Sequence, residues 1–239
     1  TSKNTHNVVE RLLHRCEDVH RVLDLPAGEG AFTKRLVDAG YEVTSGDVRD
    51  SLKVEGSTFV AANMNEPLPW PEGSFDAIVC IDGIEHLERP FDFVAECHRI
   101  LRNEGHLLLS TPNISALRSR WRYLTTGFHN KGKIPLNESS PSPWHHVNLL
   151  SFPALRYMLH RTGFRLGKLA TNRVKGISWA YAPFAPFAYL GTRWTFQREE
   201  KDPGQGRRNQ EILQQLFTRE IHFGETTILS AKKVQSGVA

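Results

Sequence analysis

The chain has 239 residues, 39% of them hydrophobic and 23% charged, with a formal net charge of +4. That is enough chain for one substantial core, and the mildly basic balance permits an anionic partner without demanding one. Cys16, Cys80 and Cys97 form no C-x-x-C pair, which argues against a disulfide framework or a zinc site and for a reducing compartment. No signal-like segment opens the sequence and no apolar run reaches the roughly 18 residues of a membrane span. One domain over 1–239, cytoplasmic or peripheral at a membrane, is the expectation.

Asn4 to Asp18 reads as a helix, with Val8, Val9, Leu12, Leu13 and Cys16 at helical spacing. It packs on a sheet or flanks a ligand pocket. Val22-Leu23-Asp24-Leu25 is then a buried strand, followed by the turn Pro26-Ala27-Gly28-Glu29-Gly30 and a helical run through Leu36 and Val37. A Gly turn between a strand and a helix lets backbone approach a ligand and offers unpaired N–H groups at the helix start. A second strand, Tyr41 to Gly46, ends at Asp47, about 20 residues past the turn, where a carboxylate can accept both hydroxyls of a ribose. A third strand, Thr58 to Val60, precedes Asn63-Met64.

The Pro-rich connection Glu66 to Ser74 anchors on Trp70 and leads into a fourth strand, Phe75 to Ile81. Asp82-Gly83-Ile84-Glu85-His86 lies just beyond it, at the carboxyl edge where open α/β sheets bind ligands. His86 is there as a candidate general base or as an element that orders the loop. A helix from about Phe91 to Leu101 and a fifth strand, Gly105 to Asn113, follow.

These pieces resemble the class I S-adenosylmethionine-dependent methyltransferases, over roughly Val19 to Asn113. The carriers are Leu23-Asp24 with Gly28-x-Gly30, Asp47, Asn63-Met64, Phe75-Asp76, Glu85-His86 and the Gly105-His106 turn. The resemblance implies a doubly wound α/β fold, seven strands ordered 3-2-1-4-5-7-6 with strand seven antiparallel. It also implies S-adenosylmethionine as cofactor and S-adenosylhomocysteine as product. Asp24, Pro26, Ala27, Gly28 and Gly30 would surround the methionine end, Asp47 the ribose and Asn63-Met64 the adenine, with Asp82 closing the set. Pro26 departs from the family, which usually has Gly there, and supplies no N–H. Nicotinamide dehydrogenases share the first half, but their third glycine is Thr33 here. The Asn/Asp-Pro-Pro-aromatic turn of amino-methylating DNA enzymes is absent, so DNA is excluded as a partner.

From Asn113 to Asn137 no acidic residue occurs. Ser115 to Thr125 reads as a helix with Arg118 and Arg122 on one face, and 113–150 as a lid-like insertion. Its basic face is solvated surface, a site for an anionic group on the acceptor, or an RNA contact. Trp144, His145 and His146 come next, then a helix capped by Ser151. The run His146-x-Asn148-x-x-Ser151 resembles the subgroup that methylates small hydroxyl-bearing acceptors of sugar, lipid-linked or quinone type. His145, His146 and His86 are the base candidates, in that order; Arg118, Arg122 and Trp144 are the acceptor contacts. No carboxylate spacing accompanies the two adjacent histidines, so no metal is expected.

Phe164 to Thr171 reads as strand six, and strand seven is placed at Glu220–Gly224 with Thr226–Ala231. The insertion between them, 174–218, carries the aromatic stretch 177–190 with Arg173, Lys175, Arg193 and Arg198 about it. That stretch roofs an acceptor pocket, forms a homodimer contact or lies at a membrane surface. Arg198 to Asn209 reads as a charged loop, Gln210 to Phe217 as a short helix and Lys232 to Ala239 as a frayed tail. An RNA-modifying enzyme and a non-catalytic cofactor-binding partner protein remain the other classes.

Overall fold

A computed structural model describes residues 4–140, 142 and 144–234. Seven strands form one sheet in the order β3-β2-β1-β4-β5-β7-β6. They are β1 (Arg21–Asp24), β2 (Glu42–Asp47), β3 (Ser57–Ala61), β4 (Phe75–Ile81), β5 (Leu101–Pro112), β6 (Phe164–Ala170) and β7 (Thr226–Lys233). β1 to β5 are mutually parallel, and β7 runs antiparallel between β5 and β6. The expected order and the reversed seventh strand are both present.

The central strands are apolar because both faces are covered, as parallel sheets require. Phe75 to Cys80 of β4 are all buried. One face packs on α3 (Pro90–Ile100) and α5 (Phe152–Arg161), which bring Phe93, Cys97, Ile100, Leu155, Met158 and Leu159 to a core with Leu23, Ile78 and Leu107. The other face packs on α1 (Thr5–Leu13) and α2 (Thr33–Asp38), with Val9, Leu13, Phe32 and Leu36 against Val22, Val43, Ala77, Val79 and Leu108. At the amino edge Asp76 holds β1 and β5 together. Its carboxylate accepts from the Arg21 N–H at 2.8 Å and from Arg102 Nε at 3.0 Å.

Several sequence boundaries move. The first helix stops at Leu13, not Asp18, and Cys16 lies outside it, its thiol donating to Leu12 O. The run after Gly30 becomes regular only at Thr33. Arg198 to Asn209 is not a loop: α6 (Ala185–Glu199) fills its start, and α7 (Pro203–Leu216) begins where Asp202 caps the Gly204 N–H at 2.8 Å and Pro203 occupies the first turn. Glu220–Gly224 is not part of strand seven. Thr218 caps a short helix, α8 (Arg219–Phe223), that buries Ile221 and His222. A local cap outweighs the apolar alternation of Ile221 and Phe223 there. Lys232 and Lys233 end β7 instead of fraying, and Lys233 Nζ donates to Leu101 O at 2.8 Å; the remaining tail, 235–239, lies outside the described residues.

The candidate active site at the carboxyl edge

A cavity of about 790 Å³ opens over the carboxyl ends of β1, β2 and β4. Its floor is the turn after β1. Gly28 and Gly30 have φ of +55° and +87°, a left-handed backbone that glycine adopts without a Cβ penalty. The Gly28 N–H donates to Asp47 Oδ2 at 2.9 Å, and the Ala27 N–H donates to Gly46 O, so β2 and the turn hold each other. Pro26 lines the cavity, and its ring explains Gly83. A Cβ on Gly83 would fall 2.6 Å from Pro26 Cδ. The proline thus gives up an amide donor and keeps the turn pressed against the end of β4.

Asp47, Asn63, Met64 and Asp82 line the cavity with Pro26 and Gly28. Asp82 has φ +49°; its N–H donates to the Ser110 backbone and hydroxyl oxygens, and its Oδ1 accepts from Ser110 Oγ at 2.8 Å. Ala27 and Gly30 shape the turn from outside the cavity wall. Asp24 is placed differently. It is 1% exposed, away from the cavity, with Oδ2 accepting from Thr33 Oγ1 at 2.7 Å. Burial pushes its carboxyl up to about 7 against the opposing Thr33 hydrogen bonds. In the described geometry it ties β1 to the start of α2 and is not among the residues that line the cavity.

The residues fit the cofactor that the sequence implies. A carboxylate stands at the end of β2 with one oxygen engaged by Gly28 and the other facing the Arg49 N–H at 3.4 Å. The Gly28 position has nothing within 4 Å where a Cβ would stand, so the space beside the turn is open. Val48, 61% exposed beside Asp47, and Leu87 supply apolar wall that sequence reasoning passed over. An apolar residue directly after the strand-end acid, with no core to enter, was the available signal.

The opposite wall is histidine and tryptophan. His86, Trp144, His145 and Val147 line it, with the His86 and Trp144 rings 6.4 Å apart. The segment that carries them is fastened to the end of β4 by its own backbone. His86 Nδ1 meets His145 O at 2.9 Å, the Asn148 N–H donates to Glu85 O at 3.0 Å, and Asn148 Nδ2 donates to Leu87 O at 2.5 Å. Asn148 is therefore the clasp of the 113–150 insertion. His146 turns away from the cavity; its ring packs against His86 at 4.9 Å, and burial lowers its pKa. Glu85, absent from the sequence candidates, is 1% exposed beside it, and burial pushes its carboxyl up to about 8.

Arg118 and Arg122 are not brought to this cavity. α4 (Leu117–Thr126) carries Arg118 to a separate recess of about 170 Å³, shared with Lys131, Lys133, Lys175 and Glu225. Arg122 Nη2 donates to Lys133 O at 3.3 Å. Arg122 is thus held to the 113–150 insertion, whereas Arg118 looks toward the insertion 174–218 through Lys175 and Ser178. There Trp121 stacks on Phe184 with centroids 5.0 Å apart.

A seven-stranded sheet in this order, with a Gly turn after β1 and an acid at the end of β2 below a carboxyl-edge cavity, is the class I methyltransferase fold. The chain belongs to a methyltransferase domain family whose model matches residues 3–169. Family and fold together imply S-adenosylmethionine as the methyl donor. The chain is 28% identical over 183 residues to a ubiquinone/menaquinone biosynthesis C-methyltransferase of Pasteurella multocida, covering 66% of this chain and 68% of that protein. It is 27% identical over 106 residues to a ubiquinone biosynthesis O-methyltransferase of Pseudomonas aeruginosa, covering 39% of this chain and 44% of that one. Of the Pseudomonas O-methyltransferases and of probable S-adenosylmethionine-dependent methyltransferases from mycobacteria, the match spans less than half the length. A crystal structure of a SAM-dependent methyltransferase from Archaeoglobus fulgidus superposes with a TM-score of 0.56 at 19% identity, over 95% of this chain and 92% of that one. That likeness concerns the fold.

Proposed function

We propose that the protein transfers the S-adenosylmethionine methyl group to a hydroxyl oxygen of a small acceptor of sugar, lipid-linked or quinone type. The observation that carries this reading is the division of one cavity into two walls. Gly28, Asp47, Asn63 and Met64 form one, and His86, Trp144 and His145 the other. When bound, the cofactor supplies an electrophilic methyl on a cationic sulfur. Asp47 would hold the ribose, and the Gly28–Gly30 turn would fix the methionine end. Alignment is the main contribution, since bringing two reactants into line can remove much of the barrier. A hydroxyl acceptor also needs a proton acceptor. His145 lines the cavity and uses only its backbone carbonyl to orient His86, which leaves its imidazole for that role. Trp144, 79% exposed at the mouth, offers an aromatic face to the incoming acceptor.

The insertion bears on how the acceptor arrives. α6 buries no residue, and Phe187, Leu190 and Trp194 share one exposed face at i, i+3 and i+7. Arg198 stacks over Trp194 at 5.0 Å. Aromatic and apolar side chains bordered by arginine suit the interface of an anionic bilayer, where a lipid-linked or quinone-type acceptor would reside. Among the described residues no helix is long and apolar enough to cross a membrane.

The test is calorimetric titration with S-adenosylmethionine and S-adenosylhomocysteine, NADH serving as control, followed by a labelled-methyl screen of hydroxyl acceptors at low and high salt. Binding of the sulfur ligands alone and salt-tolerant transfer to a hydroxyl are expected. Transfer to RNA that collapses with salt would overturn the acceptor reading, and methylation at carbon would move the chemistry to that of the Pasteurella relative.

A further inference from the structure

Behind His86 the fold gathers side chains that methyl transfer by alignment and a base does not require. Glu85, His86 and His146 each present one ligand-type atom, and these atoms all lie within 4.8 Å of one another. His86 Nδ1 meets the His145 carbonyl, so Nδ1 carries the proton and Nε2 keeps its lone pair. His146 has a buried Nδ1 with no hydrogen-bond partner. The Lys131 backbone bonds the same ring in the sense that favours its charged form, which requires a carbonyl acceptor and places that bond at Nε2. Each imidazole therefore tethers one nitrogen to a main-chain carbonyl and keeps a lone pair on the other, and the Glu85 carboxylate lies in the same cluster. That carboxylate has one oxygen held by Thr111 Oγ1 at 3.0 Å.

Main-chain or carboxylate tethering of the distal nitrogen is the usual support of a metal-bound histidine. As plain packing the arrangement is costly, since a buried nitrogen without a partner loses its hydrogen bond to water and gains none in return. Asp82 stands close enough for its charge to act on both Glu85 and His146, and it lines the cavity with His86. Donors about 2.1 Å from one ion lie about 3–3.5 Å apart, so the widest pair, at up to 4.8 Å, would close by about 1.3–1.8 Å when the side chains turn onto an ion. Two imidazoles and a carboxylate match a first-row transition ion with open positions better than magnesium or calcium, which take oxygen donors.

We propose that Glu85, His86 and His146, with Asp82 beside them, bind one first-row divalent cation that offers an open position to the acceptor oxygen in the cavity. The second half of this rests on the hydroxyl-acceptor reading above; the first half does not. Coordination lowers the pKa of the acceptor hydroxyl. Its proton passes to the His145 imidazole, the oxygen lone pair forms the new C–O bond, and the methyl–sulfur bond breaks toward sulfur, leaving neutral thioether. Sequence separation concealed the site. His145 and His146 are adjacent in the chain, but the fold pairs His146 with His86 and Glu85, about 60 residues away.

The experiment uses the full chain, freed of metal by chelator and titrated with Zn²⁺ and with Co²⁺, the latter followed by its visible spectrum. One ion per chain at micromolar or tighter affinity is expected. Glu85→Gln and His146→Ala, each deleting a ligand, should weaken it by more than the roughly 10–100-fold that loss of a supporting outer-shell group costs, while the affinity for S-adenosylhomocysteine, the check on folding, stays as in the parent. No ion on the parent chain, or equal binding by both variants, overturns the site. Binding that chelation removes without lowering turnover overturns the catalytic half alone. Failure of the parent to bind S-adenosylhomocysteine while it binds the ion would strike the methyltransferase reading and leave the cation site standing.

Discussion

The two walls of the cavity are built by opposite means. The proposed cofactor wall comes from the ends of the first three strands and the tight turns after them, where Asp47 and Gly28 stand 19 residues apart and hydrogen-bond directly. The acceptor wall is assembled from the end of β4 and a segment some 60 residues later, held by three backbone-directed hydrogen bonds at His86, Glu85 and Leu87. The first is rigid because the sheet core fixes it. The second depends on Asn148 and on the insertion around it, so it can change with the acceptor while the cofactor wall stays as it is. On the proposed reading, position of the methyl and choice of acceptor are thereby separated within one pocket.

The sharpest way to break that separation is at His145. His145→Ala keeps the backbone carbonyl that orients His86, so turnover should fall about 100-fold or more, the usual worth of a general base, with S-adenosylmethionine affinity unchanged by calorimetry. Equal loss of cofactor affinity would show that the two walls are coupled. On the other wall, Asp47→Ala removes a charged acceptor and the partner of the Gly28 N–H. A loss of about 1.5–3 kcal/mol of cofactor binding, roughly 10- to 150-fold, is expected, measured by the same titration; undiminished affinity would displace the ribose from this carboxylate.

A smaller effect separates structure from ligand contact at Asp24. Its folded pKa of about 7 exceeds the unfolded value near 3.9. The native state therefore holds the proton more tightly. The group's contribution is full below about pH 4 and is lost as pH rises toward 7, so stability falls across that window. Asp24→Asn should flatten this part of the urea-denaturation profile while cofactor affinity changes little. A profile as steep as the parent's would mean that the burial of Asp24 is relieved in solution. The smallest effect belongs to the outer face of α6. Phe187→Ser with Trp194→Ser should reduce co-sedimentation with anionic vesicles and leave transfer to a soluble acceptor intact. A change in oligomeric state instead would assign the face to a second copy of the chain.

Short-range pattern made the cofactor wall legible. The strand-turn-helix signal around Gly28, the acid that ends β2 and the run of β4 follow from local periodicity, and the sheet order followed from the resemblance those residues carry. Pro26 was visible as a departure, but its compensation by Gly83 was not, because the two meet only when β1 and β4 lie side by side. Strand seven was misplaced by a few residues because the Thr218 cap, a single hydrogen bond, turns a β-like run into helix. The arginines failed for a different reason: spacing assigns residues to a helix face, but only packing decides what that face looks toward.

By itself the sequence determined the class of fold, the Gly28–Asp47 end of the cavity and the set of histidines, since each rests on contacts within a few turns of chain. Only tertiary structure decided which histidines face the cavity, that Asp24 is a buried tie, and that Glu85, His86 and His146 converge. Convergence of side chains about 60 residues apart depends on the register of β4 against its neighbours and on the clasp of Asn148. Neither leaves a periodic trace in the chain.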